Sequence, residues 1–285
     1  MSRLYLALPA PAKLNLFLHV VGRRADGYHE LQSVFVPIDL ADLLDFTRRE
    51  DGVIERTGDI IGEAEGDLAL RAAVSLQRAS GTHFGAVINV EKKIPAGSGM
   101  GGGSSDAATT LIALNRLWDL HWPRPRLCEI AVGLGADVPF FLGAGPAFVE
   151  GIGERLTGLS IAPYDYAVVH PQVAVSTREI FSDPGLTRDT KATIIAAFSA
   201  AQESLPQELF GANDLEGVVR DRFPAVDSAL KHLQRFGPAR MTGSGSAVFM
   251  PATDSNHAAA AIQDLPAGWQ GWTVRSLAEL PLAVW

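Results

Sequence analysis

The chain has 285 residues, 47% of them hydrophobic, a single cysteine, a formal net charge of −8 and a pI of about 5.4. That length allows one large domain or two modest ones, and the acidity argues against a nucleic-acid partner. Cys128 has no intrachain disulfide partner, no apolar run reaches the ~18 residues of a membrane span, and the first residues lack a secretory-signal layout. A cytoplasmic protein with no membrane partner is therefore expected.

Residues 4–21 read as a strand after a Pro9–Pro11 break, with Leu14, Leu16, Leu18 and Val20 on one face. Lys13, Asn15, Phe17 and His19 take the other face of what should be a half-buried strand. Lys13 is either an edge lysine that blunts aggregation or a fixed ammonium beside an amide, suited to a phosphate and a hydroxyl. Asp26-Gly27 marks a hairpin, and Tyr28 and His29 follow its tip. They are either turn packing and a solvated ring, or a planar slot for a base. Residues 48–66 read as a strand pair and loops. Asp67–Ala79 reads as a helix with Leu68, Ala72, Leu76 and Ala79 on one side.

The most informative stretch follows a predicted strand at Ala86–Val90. Gly97, Gly99, Gly101, Gly102 and Gly103 are succeeded by Ser104 and Ser105, then by Ala107, Ala108, Leu111, Leu114 and Leu117 at helical spacing. Glycines allow φ > 0 and close approach of a ligand to the backbone, and a helix N-terminus favours an anion. Ser104 or Ser105 is the natural N-cap, or a hydroxyl for a phosphate or metal. This is a phosphate cradle. It is not a P-loop, because Gly103 stands where the lysine would be. Gly97, Gly99 and Gly102 match the dinucleotide pattern G-x-G-x-x-G, but in a glycine-dense run, and Asp119 follows the helix with no second strand to carry it. A flexible linker would not open into an amphipathic helix.

Beyond Pro123 and Pro125 a helix spans residues 126–134, ended by Gly135. Asp137 then sits in a tight turn before the apolar run Val138–Leu142, with Pro139 expected to keep Val138 extended. Asp137 is either an Asx-type turn carboxylate or a base that orients a hydroxyl for phosphoryl transfer. Past Gly151 and Gly153, Tyr166–His170 reads as a strand and Val173–Ile180 as extended. Helices are expected over Lys191–Gln202, Asn213–Arg222 and Ala225–Phe236, then strand, turn and strand in ARMTGSGSAVFM. Gly243–Ser246 is either an ordinary hairpin loop or a second N–H-rich surface facing the first glycine loop. A helix (His257–Leu265) and a strand (Trp272–Leu277) close a chain read as α+β, in two domains of residues 1–152 and 153–285.

Three separated stretches, PAKLNLFLHVVGRRADGYHEL, IPAGSGMGGGSSDAA and MTGSGSAVF, resemble the three motifs of the GHMP small-molecule kinases in their usual order. AKLNL followed by R-x-D-G-Y-H-E-L, with GADVPFFL, FVEGIGE and ANDLE, is similar to the 4-diphosphocytidyl-2-C-methyl-D-erythritol kinase family. The resemblance implies two domains with the active site in the cleft between them, and ATP-dependent phosphorylation of the 2-position hydroxyl of the small-molecule substrate in non-mevalonate isoprenoid synthesis. It implies that Asp137 acts as base and that Lys13 stabilises Asp137 and the transferring phosphoryl group. Pro95, Ala96, Gly97, Ser98, Gly99, Met100, Gly101, Gly102, Gly103, Ser104 and Ser105 would wrap the ATP phosphates, bridged by Mg²⁺. Tyr28 and His29 would hold the cytosine, Asn15 the erythritol part, Phe181 would stack on the base, and Thr177 would lie near the pyrophosphate or sugar. Asp106 receives no role. The other readings are a mevalonate- or homoserine-type GHMP kinase, or a nicotinamide-dependent oxidoreductase.

Overall fold

A computed structural model describes residues 4–62, 66–202, 205 and 207–285. Two very long strands, β1 (Leu4–Arg23) and β2 (His29–Arg49), form an antiparallel ribbon closed by the Asp26-Gly27 turn. β3 (Ile54–Gly58), α1 (Leu68–Ser80), β4 (Gly85–Glu91) and α2 (Gly102–Leu117) follow, then α3 (Arg124–Leu134), α4 (Val138–Phe141), β5 (Ala147–Gly151) and β6 (Arg155–Gly158). The first sheet runs β3-β4-β2-β5-β6, with β1 on the other edge of β2. It is antiparallel except for β3 against β4, joined by α1. No parallel strand follows α2 to complete a dinucleotide-binding unit, so the topology removes the nicotinamide reading. The expected division at 152/153 falls in the turn of the β5–β6 hairpin.

The second half contains β7 (Asp165–His170), α5 (Thr177–Ser182), α6 (Ile195–Ala201), α7 (Glu216–Arg222), α8 (Pro224–Leu233), β8 (Arg240–Met241), β9 (Val248–Ala252), α9 (Ser255–Ile262) and β10 (Gln270–Arg275). Its sheet has the order β10-β7-β9-β8. Leu280 and Leu282 return to the first half, where they join its core with Leu111, Leu114 and Phe140. Among the described residues no helix is long and apolar enough to cross a membrane.

β1 is the element both halves share. The half-buried strand expected from alternation is instead buried on both faces from Ala10 to Val20. Its outer edge meets loops: Lys13 N–H donates to Met100 O and Leu18 N–H to Ala212 O, both at 2.9 Å. Pro9 and Pro11 fit this edge because no ladder donor is needed there, and the strand runs through them without a break. A register shift between Asn15 and Leu18 inserts a bulge, after which the facing of the strand reverses. Lys13, Asn15 and Leu18 consequently face one cavity. Leu14, Leu16 and Phe17 join a core with Tyr166, Val168 and Phe249 of the second half.

Two local expectations are corrected. Val138, expected to be extended, instead opens the helical turn Val138–Phe141, because Pro139 occupies the first turn, where its missing N–H has no partner to lose. Thr177–Ser182 is helix α5, capped by the Ser176 side chain on Glu179 N–H. Elsewhere Asp67 caps α1 by accepting Leu70 N–H at 2.9 Å, which fits the predicted start of that helix.

Candidate active site

The glycine loop is held open by backbone conformation. Gly97, Gly99 and Gly101 have φ of +65°, +78° and +75°, values that favour glycine. Gly101 is the N-cap of α2 with no side-chain cap, so the expected serine cap is not used. The glycines bring the chain into helical geometry unaided, which leaves first-turn N–H groups directed at a cavity of about 470 Å³. Pro95, Ala96, Ser98, Gly102, Gly103 and Ser104 line that cavity with the three left-handed glycines. Met100 and Ser105 do not line it. Met100 is core, and Ser105 is fully buried with an unpartnered Oγ, beside Pro9 and Thr109.

The turn at Gly243–Gly245 buttresses this loop. Ala247 N–H donates to Ser98 O at 3.0 Å, and a Cβ on Gly243 would lie 2.7 Å from Gly99 O. A Cβ on Gly99 would lie 2.3 Å from Thr242 O. Gly99→Ala therefore combines a left-handed backbone with a backbone clash, and we expect a loss of about 2–4 kcal/mol in a urea titration. Unchanged stability would mean the two turns are not held in contact.

A second cavity, of about 290 Å³, adjoins the first and contains Lys13, Asn15 and Asp137. Lys13 Nζ donates to Asn15 Oδ1 at 2.5 Å and lies 3.4 Å from Asp137 Oδ2. The Lys13 side chain is 3% exposed and Asp137 30%, so a buried cation meets a carboxylate that solvent and ligand can reach. Lys13 Nζ also stands 4.6 Å from the Phe35 ring centroid, which helps offset the cost of burying the charge. Asn15 is fixed from its other end by donating to Ser33 Oγ at 3.0 Å, and its backbone N–H donates to Thr242 Oγ1 at 2.9 Å.

The third cavity, of about 650 Å³, lies at the hairpin tip and is lined by Tyr28, His29 and Phe181. Tyr28 is 62% exposed. His29 and Phe181 stack on each other, centroids 5.2 Å apart and planes at 27°. Arg188 Nε donates to His29 Nε2 at 3.0 Å, while its NH2 group donates to Phe181 O and Asp183 O. Burial, then Arg188 and Arg23, push the His29 pKa down, so the ring is neutral with its proton on Nδ1. Arg188→Met should raise that pKa, seen by NMR titration, and weaken a ligand at this end by about 5-fold, the scale of one hydrogen bond. An unmoved His29 titration would remove Arg188 from this role. Thr177, whose Oγ1 is 2.7 Å from Ser244 Oγ, lines all three cavities, which together form one trough.

Arg188, Ser33, Thr242 and a buried cluster of Lys92, Asp42 and Asp106 beside the glycine loop are site residues that sequence reading misses. Each is an ordinary polar residue in its own stretch. Only the fold brings Arg188 to His29 across 159 positions.

The family described as GHMP kinases N terminal domain matches residues 67–145, and that described as GHMP kinases C terminal matches residues 194–271. A Ralstonia pickettii protein named 4-diphosphocytidyl-2-C-methyl-D-erythritol kinase is 52% identical over 277 residues, covering 96% of this chain and 95% of its own. A Herminiimonas arsenicoxydans protein of the same name is 50% identical over 279 residues, covering 96% of each chain. A crystal structure of 4-(cytidine 5′-diphospho)-2C-methyl-D-erythritol kinase superposes with a TM-score of 0.81 at 34% identity, over 96% of this chain and 98% of that one. The chain therefore belongs to the GHMP kinases, in their 4-diphosphocytidyl-2-C-methyl-D-erythritol kinase family, and is an ATP-dependent small-molecule kinase.

Proposed function

We propose that the protein transfers the γ-phosphoryl group of ATP to the 2-position hydroxyl of 4-diphosphocytidyl-2-C-methyl-D-erythritol, within isoprenoid synthesis by the non-mevalonate route. One observation carries the reading. The Lys13–Asp137 pair, 3.4 Å apart, lies in the middle of a trough with a phosphate cradle at one end and an aromatic slot at the other. A nucleotide fits the cradle, a cytosine the slot, and the reacting hydroxyl and phosphorus meet between them.

In this reading Asp137 accepts the hydroxyl proton as that oxygen bonds to the γ-phosphorus. The bond from phosphorus to the β–γ bridging oxygen breaks, and ADP leaves. Lys13 pairs with the Asp137 carboxylate and offsets charge on the equatorial phosphoryl oxygens. The cavity-lining part of the loop, Ala96 to Gly99 and Gly101 to Ser104, offers backbone N–H groups to the phosphates. Asn15 faces the erythritol part, and Thr177 the diphosphate or sugar. Neutral His29 offers its Nδ1–H to the base, with Tyr28 and Phe181 supplying aromatic surface. Among the described residues no group of three His, Cys, Asp or Glu could hold a metal ion. The phosphate cradle would accept Mg²⁺ together with the nucleotide phosphates, where the ion would supply charge neutralisation. We propose further that the chain divides into two functional units near residues 152/153, with the trough between them.

A coupled ADP-release assay with ATP, Mg²⁺ and the cytidyl substrate, run beside mevalonate, homoserine and galactose, tests this. Turnover confined to the cytidyl substrate is expected. Turnover with another alcohol would discard the cytosine slot and keep the phosphoryl-transfer centre.

A further inference from the structure

The cluster beside the glycine loop has no part in the scheme above. Asp42, on β2, is fully buried and saturated: Oδ1 accepts the N–H groups of Lys93 and Ile94 at 2.6 and 2.8 Å, and Oδ2 accepts Lys92 Nζ. Lys92 Nζ also donates to Asp106 Oδ2 at 2.7 Å. Asp106 is on α2, 5% exposed, and its Oδ1 is buried with no hydrogen-bond partner. Both Lys92 and Asp106 line the cavity that the glycine loop encloses.

Two carboxylates thus share one ammonium, leaving one negative charge at the wall of a cavity suited to anions. Among the described residues, the other charged groups that line the cavity are already engaged. Across the cavity Arg56 is held by Asp67 at 3.0 Å, and Asp59 is engaged by Lys92 N–H at 2.9 Å. A buried carboxylate oxygen without a donor is costly, and an arriving polyphosphate adds repulsion. Protonation of Asp106 removes the charge and with it most of the cost of burying that oxygen. Burial, with Asp42 behind Lys92, already pushes Asp106 up to about 7, although Lys92 opposes it.

We propose that Asp106 takes up one proton from solvent when a nucleotide polyphosphate enters this cavity, and stands at its wall as a neutral carboxylic acid. The carboxylate is then a proton-coupled element of the nucleotide site, and affinity falls as alkali removes that proton. The assignment rests on the nucleotide reading of the cavity given above.

The test is titration calorimetry with Mg²⁺ and a non-hydrolysable ATP analogue, at about pH 8, in two buffers of different ionisation enthalpy. Wild-type protein should take up about one proton per nucleotide at this pH and much less at about pH 6, where Asp106 is already protonated before binding. Asp106→Asn, which presents an N–H donor that does not titrate, should bind with neither uptake nor pH dependence. NMR of the Asp106 carboxyl carbon across pH, with and without the analogue, reads the same proton in the native sequence should the variant not fold. Binding without uptake, or uptake that Asp106→Asn leaves intact, overturns the proton assignment alone. Failure of the analogue to bind overturns the nucleotide reading and this assignment with it.

Discussion

Asp137→Asn is expected to leave nucleotide affinity near wild type while lowering kcat at least ~100-fold, the scale for losing an acid–base group. The amide is isosteric with the carboxylate and can still face Lys13, so geometry at the helical turn over Val138–Phe141 should hold. What goes is a basic oxygen 3.4 Å from the Lys13 ammonium, reachable from the cavity. Separate measurement of kcat and of nucleotide affinity distinguishes this from misfolding. Near-wild-type turnover would take Asp137 out of the catalytic role.

Lys13→Met should cost about 10²–10³-fold in kcat, the range for removing one preorganised donor from a developing anion. Three effects add: Asp137 loses its paired cation, the phosphoryl oxygens lose a positive charge, and Asn15 Oδ1 loses its closest donor. The last leaves a buried amide oxygen with only the longer contact from Thr242 Oγ1, so a stability loss of about 1 kcal/mol should accompany the kinetic one. Lys13→Arg should not rescue. A Cβ added at Gly101 would lie 3.2 Å from Lys13 Cε, which marks how closely the glycine loop encloses the lysine stem and how little room a guanidinium would have. A Lys13→Arg variant with wild-type kcat would show that charge alone, without placement, suffices.

The parts of this site that sequence reading found are those whose chemistry is local. A strand, left-handed glycines and a helix in immediate succession fix a phosphate cradle whatever surrounds them, and β4, the loop and α2 follow the predicted order. Lys13 and Asn15 are near neighbours by simple alternation. That they share a cavity with Leu18 is not legible, because a bulge after Asn15 reverses the facing, and alternation alone places Leu18 opposite them. The serine cap on α2 failed for a related reason: capping statistics assume an ordinary approach to the helix, whereas Gly101 at φ +75° supplies another. Asp137 was legible as a turn residue, but its partner lies 124 positions away. Asp106 beside Lys92 and Asp42 could not be found from spacing. Two acids look alike in sequence until burial separates one with every oxygen satisfied from one with an oxygen left over.

The β1–β2 ribbon has a mechanical consequence. Leu14, Leu16, Phe17, Val34 and Val36 of the ribbon interdigitate with Tyr166, Val168 and Phe249 of the second half in one continuous core. Packed interiors resist being pulled apart, so a hinge motion of one half against the other would have to break this core. Entry lengthwise, past the hairpin end where His29 meets Arg188 and Phe181, would leave that core intact. A trough braced in this way favours selection by length, a ligand being chosen for what it spans from cradle to slot.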